Sequence, residues 1–335
     1  MELWRLQLQY DPVPALLGAG DAALAYFTRR DLLNEPGTAV ETLWHLAEPE
    51  RIFRKQQANG SWPRSGANQH PAINDELIET WRNFRFLVEK YGVTRVHPGA
   101  ERAAEFFFTC QSAAGDFRGM LANQYATYYT GAILSLLIQA GYADDPRTEK
   151  CLEWLLSMRQ DDGGWTIPIL TRKLSGKELY RVTSEYADPI EPDRSQPFSH
   201  NWTGMALRAF AQHPTYRAGK AAQTAARLLV SRLFRKDAYP SYEAASYWVR
   251  FEYPYWWNQL ISALDTVSMI GLTRADAKVG QGLCWLAANQ QPDGLWKVTY
   301  ARENARQTAK SRDQQLWITL AACRVFKRLY SEPAA

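Results

Sequence analysis

Four times along this chain a glycine stands two residues before an aromatic ring, each time just after an apolar stretch at helical spacing. The segments are QQANGSW ending at Trp62, QSAAGDF ending at Phe117, RQDDGGW ending at Trp165, and QQPDGLW ending at Trp296. The intervals between the rings are 55, 48 and 131 residues, and the last leaves room for one degenerate unit near 227–240. A fixed period of this size is the mark of stacked supersecondary units that cannot bury an apolar face alone. Glycine supplies the positive φ that ends a helix, and the Asn or Asp beside it favours a turn. The ring can then pack back between neighbouring helices. The motif residues are therefore expected to be structural staples, with the Gln at the head satisfying carbonyls of the ending helix.

Helical periodicity continues on both sides of each motif. Segments richer in small and aromatic residues, such as YATYYTGAILSLLIQAG and HNWTGMALRAFAQH, predict inner helices near 37–47, 75–91, 124–140, 199–212, 255–271 and 312–330. Outer helices are expected near 48–57, 98–111, 146–160, 216–234 and 275–290. Six inner and five outer helices leave one vacancy. The amino-terminal stretch PALLGAGDAALAYFTRRDLL can fill it by pairing with the carboxy-terminal helix.

Composition narrows the function classes. The net charge of +4 is dispersed, with no basic block of five or six residues, which argues against a nucleic-acid partner. The longest near-apolar stretch, 131–141, is too short to span a bilayer, so no transmembrane segment is expected, and membrane contact would be peripheral. Cys110, Cys151, Cys284 and Cys323 follow no C-x-x-C spacing, and the amino terminus lacks a basic segment followed by an apolar one. These features predict reduced thiols and a cytoplasmic location.

The recurring Gln, Gly-x-Trp pattern resembles the QW repeats of the squalene and oxidosqualene cyclase superfamily. It departs from them at Arg159, where Gln is usual, and at Phe117, where Trp is usual. The resemblance implies an all-α fold, an (α/α)6 toroid with an apolar central chamber, as in terpene cyclases and the β-subunits of protein prenyltransferases. It implies a single toroid domain over 1–335, with 166–198 as a long irregular insertion that could close as a lid. Class II terpene cyclases protonate an alkene through the middle Asp of D-x-D-D, since an isolated alkene is a poor base and needs a strong, desolvated acid. The counterpart here is SALDT, where Asp265 and Thr266 match the last Asp and Thr and Leu264 stands where the acid would be. Asp265 is the one catalytic candidate. No D-D-x-x-D for diphosphate-bound magnesium is found, and no Asp, Cys and His arrangement for zinc, so no cofactor and no metal are expected.

The aromatic excess, 13 Trp and 17 Tyr, concentrates in PSYEAASYWVRFEYPYWWNQL at 240–260. Tyr247, Trp248, Tyr255, Trp256 and Trp257, with Asn258 and Glu252, are the candidate ligand-binding residues. Rings facing an apolar chamber bind a polyisoprene and stabilise positive charge through their π-faces. The same rings could equally pack a repeat that has lost its motif. The function expected is thus a terpene cyclase- or prenyltransferase-like protein that binds an apolar small molecule or isoprenoid and lacks an intact acid motif. If it is an enzyme, cyclase- or isomerase-like chemistry is implied. A carbohydrate-active (α/α)6 enzyme and a non-catalytic binding toroid are the alternatives, and fold alone does not decide among them.

Overall fold

In a computed structural model the described residues are 2–64, 72–302 and 308–331. Among them the chain is all-α, with isolated bridges but no strand, as expected from the repeats. The α-helices are α1 Val13–Leu17, α2 Ala22–Phe27, α3 Ala47–Phe53, α4 Asp75–Tyr91, α5 Pro98–Thr109, α6 Thr127–Leu137, α7 Pro146–Ser157, α8 Gly176–Ser184, α9 His200–Gln212, α10 Lys220–Ser231, α11 Leu260–Ile270, α12 Ala277–Ala288 and α13 Ala309–Tyr330. The chain divides into two compact units, 1–39 with 226–335, and 40–225, the boundary falling within α10.

Successive helices form hairpins, and within each unit the second helices of the hairpins lie side by side. In the 40–225 unit, α4 packs on α6 and α6 on α9. Small residues set how closely α6 and α9 approach, since a Cβ on Gly131 would lie 2.5 Å from the Ala206 Cα. In the other unit, α11 packs on α13 and α13 on α2.

The motifs join these hairpins by a repeated set of hydrogen bonds. Trp62, Trp165 and Trp296 are buried, and each Nε1 donates to the carbonyl ten residues earlier, Ile52, Leu155 and Leu286, at 2.7, 2.7 and 2.8 Å. The backbone N–H of each motif ring donates to a threonine hydroxyl on the second helix of its hairpin. The pairs are Trp62 with Thr80, Phe117 with Thr130, Trp165 with Thr203 and Trp296 with Thr319, at 2.8 to 3.3 Å. Gln56, Gln111 and Gln290 each donate to the motif glycine's carbonyl and to a backbone carbonyl at the start of a following helix: Gly99, Arg147 and Tyr10. The glutamines thus tie one hairpin to the next rather than only completing the helix that ends. Arg159 keeps one half of that role, donating from Nε to the Gly163 carbonyl at 2.9 Å.

Tyr10 lies three residues ahead of α1, so the last motif uses the amino terminus as its next repeat. That closure goes further than expected. The amino-terminal stretch supplies a whole hairpin, α1 followed by α2 and the π-helical turn Thr28–Leu33, and both helices contact α13. The inner helix expected at 37–47 is correspondingly absent, and Val40–His45 forms only a 3₁₀ segment.

Asp31, in the π-helical turn, holds the closure electrostatically, with Arg324 Nε at 2.7 Å and Arg30 Nε at 2.5 Å. Burial pushes its carboxyl up, but Arg324 and Arg30 outweigh this and hold it below the ordinary carboxylate value. A carboxyl lowered in the fold stabilises above its unfolded value of about 3.9, and that stabilisation is lost as pH falls through the lower folded value. Asp31→Asn is therefore expected to cost about 2 kcal/mol at pH 7, less than a fully buried pair because both partners keep some solvent contact. Urea titrations should show the difference from the unmodified protein shrinking below about pH 3.

Candidate functional site

The segment 240–260 lies wholly within the 1–39 and 226–335 unit. It is irregular because no glycine motif follows α10. Instead Asp237 N donates to the Glu243 carbonyl at 2.8 Å, a wider loop than the one Gln291 N closes on the Leu295 carbonyl in an intact motif. Trp248 Nε1 then donates to the Arg235 carbonyl at 3.0 Å, and the side chain is 1% exposed. Trp248, expected among the ligand-binding residues, thus does the work of a motif tryptophan for the degenerate unit. On α11, Ala263 occupies the fourth helical position, where Thr130 of α6 and Thr203 of α9 bind their motif rings.

Beyond Trp248 the chain is pinned on two sides. Phe251 N donates to the Val298 carbonyl and Tyr300 N to the Val249 carbonyl, a short antiparallel pairing. Gln259 then clamps Glu252 by its backbone, accepting from Glu252 N at 2.8 Å and donating to the Glu252 carbonyl at 2.6 Å. The same Gln259 opens α11 through a reciprocal cap with Ser262. This is why α11 starts at Leu260 rather than near 255: residues 255–259 form a non-helical lead-in that ends in the extended Gln259.

The pinning sorts the rings into two groups. Tyr253, Tyr255 and Asn258 are buried, and Tyr253 stacks on Trp317 with 3° between ring planes. Tyr242, Tyr247, Trp256 and Trp257 are half-buried. Tyr242 stacks on Trp257 with centroids 5.4 Å apart, and Tyr247 stands edge-on to both. Trp256 Nε1 donates to the Tyr242 hydroxyl at 3.0 Å. Tyr242, which sequence reasoning passed over as a binding residue, is the hub of this cluster. It sits at φ 56° directly after Ser241 at φ 69°, a left-handed pair without glycine. Such conformations cost energy and gather at functional sites.

Asp265 lies on α11 outside this cluster. Arg328 of α13 donates from Nη1 to Asp265 Oδ1 at 2.8 Å and to Ser268 Oγ at 2.7 Å. A partly exposed carboxylate engaged by a guanidinium is an ion-pair acceptor, whereas alkene protonation requires a desolvated, free carboxylic acid.

The other unit carries the insertion and a second row of aromatic rings, most of them buried. Segment 166–198 is not wholly irregular: it contains the 3₁₀ turn Pro168–Thr171 and α8, which begins with a Ser175–Glu178 capping box. Gln124 holds it by donating to the Asp188 carbonyl and accepting from Ile190 N, and Gln160 by donating to the Asp193 and Gln196 carbonyls. Ser199 at its end is the cap of α9, accepting from Trp202 N. Along α4, α6 and α9 run Trp81, Tyr129, Tyr128 and Trp202, each in ring contact with the next, with the Arg85 guanidinium 4.5 Å from the Trp81 centroid. The four-residue spacing of Trp81 and Arg85 was the available sequence signal for this ladder. Among the described residues, no group of three or more His, Cys, Asp or Glu is placed to share a metal ion, and no helix is long and apolar enough to cross a membrane.

No protein-family model and no curated protein sequence matches the chain. Solved structures similar to it include a polysaccharide lyase, 13% identical with a TM-score of 0.48, over 93% of this chain and 89% of that one. A glycosyl hydrolase family 88 protein from Bacteroides vulgatus is 14% identical with a TM-score of 0.47, over 96% and 93%. The type II terpene cyclase MstE from Scytonema is 13% identical with a TM-score of 0.33, over 86% and 98%. The three differ in activity, and the likeness carries no argument about the chemistry of this chain.

Proposed function

We propose that this protein is a terpene cyclase- or prenyltransferase-like member of the QW-repeat class that binds an apolar, isoprenoid ligand without cyclising it. The half-buried rings of Tyr242, Tyr247, Trp256 and Trp257 form the binding surface. Trp248, Tyr255 and Asn258 support it from the core, and the clamped Glu252 backbone fixes its position. The observation that carries this proposal is the contrast between the two candidate elements. The aromatic surface is backed by an extensive hydrogen-bonded scaffold, while Asp265 is committed to Arg328. Such a surface offers area and π-faces to an unsaturated chain, and Asp265 lies outside it. A cytoplasmic location with peripheral membrane access fits an apolar ligand, and the four cysteines stand as free thiols.

Incubation with squalene, oxidosqualene and linear prenyl diphosphates, followed by mass spectrometry, should return every substrate unchanged. A cyclic product that disappears in Asp265→Asn would contradict the proposal. Trp257→Ala should weaken binding of a fluorescent isoprenoid by about tenfold, the loss of one large apolar contact.

A further inference from the structure

Arg250 stands beside the proposed binding surface and has no counter-ion there. Its guanidinium carbon lies 4.5 Å from the centroid of Tyr247. Its Nε is buried with no hydrogen-bond partner, and among the described residues it joins no ion pair. The carboxylate of Glu243 is paired with Lys236 at 3.5 Å. A ring face compensates a cation only partly, and a buried N–H left without an acceptor is costly to keep. The backbone on either side leaves the side chain little freedom to leave, because Val249 and Phe251 are held by the pairing with Val298 and Tyr300.

Resting on the isoprenoid-binding proposal, we infer that Arg250 receives a carboxylate at the head of the apolar ligand, so that the natural ligand class is an isoprenoid acid. A guanidinium met end-on presents the parallel N–H donors of Nη1 and Nη2, which match the two oxygens of a carboxylate. One cation balances one carboxylate. A diphosphate carries more charge than this single guanidinium can neutralise. The apolar chain then runs from Arg250 over Tyr247 toward Tyr242 and Trp257, which Tyr247 contacts edge-on.

Isothermal titration of the full chain with a twenty-carbon isoprenoid acid, the matching alcohol and the matching diphosphate tests this. The acid should bind about tenfold or more tightly than the alcohol, the scale of one charge-assisted pair. Arg250→Gln should erase that preference while leaving alcohol affinity unchanged, and Arg250→Lys, which keeps the charge but loses the fork, should restore only part of it. Equal affinity for acid and alcohol in the unmodified protein would overturn the inference and leave the isoprenoid proposal standing. Preference for the diphosphate would overturn the carboxylate assignment. Binding of none of the three would overturn both. Should Arg250→Gln fail to fold, the three-ligand comparison on the unmodified protein still decides.

Discussion

Replacing Trp165 by Ala is expected to destabilise the protein by about 3–5 kcal/mol, among the largest effects of any single substitution in the chain. The side chain is fully buried, its Nε1 bonds the Leu155 carbonyl, and its ring lies 5.3 Å from Phe210 of α9. Truncation opens a cavity between α7 and α9 and takes from the Leu155 carbonyl one of its two donors, the other being Met158 N. The Trp165 backbone bond to Thr203 survives, so Trp165→Phe, which keeps the ring and loses only the N–H, should recover most of the loss. Chemical denaturation monitored by circular dichroism distinguishes the two variants. A Trp165→Ala protein with an unchanged midpoint would rule out the staple role.

Gly60→Ala should be comparably damaging for a different reason. Its φ is 89°, and an added Cβ would fall 2.0 Å from the Arg102 carbonyl oxygen and 2.5 Å from its carbon. Backbone cannot step aside as a flexible side chain can, so α3 and α5 would have to separate, at a cost on the order of 3 kcal/mol or more. Gly176 at the start of α8 is the control. Nothing lies within 4 Å of its virtual Cβ, and Gly176→Ala should be neutral or stabilise by up to about 1 kcal/mol. Thermal unfolding of the two variants side by side separates a steric requirement of the motif from a general intolerance of alanine.

Much of the fold was legible because its punctuation is local. The helix expected at 75–91 is found as Asp75–Tyr91, since Asn74 caps one end and Gly92, in the left-handed region, closes the other. The motif glycines and tryptophans could be recognised for the same reason. What joins them could not. Their threonine partners follow at 18, 13, 38 and 23 residues, an offset with no period, and they belong to helices chosen for burial rather than for any sequence mark.

The candidate site was less legible. No glycine precedes Trp248 to mark it, and its bond to the Arg235 carbonyl is visible only in the fold. Tyr242 became the hub through an unusual backbone at 241–242 that a non-glycine sequence does not advertise. Asp265 could be placed on a helix from its apolar surroundings, but its partner Arg328 is 63 residues away on α13. The amino-terminal hairpin was anticipated as the filler of a vacancy. It supplies two helices, and not one, and the Gln290 bond that ties it in reaches Tyr10 across 280 residues.

Native mass spectrometry of the protein purified from its own host reads out the bound ligand itself. A retained adduct with the mass of an intact isoprenoid, lost from the Trp257→Ala variant, is the predicted result. A retained oligosaccharide, or an isoprenoid adduct that persists undiminished in Trp257→Ala, would contradict it.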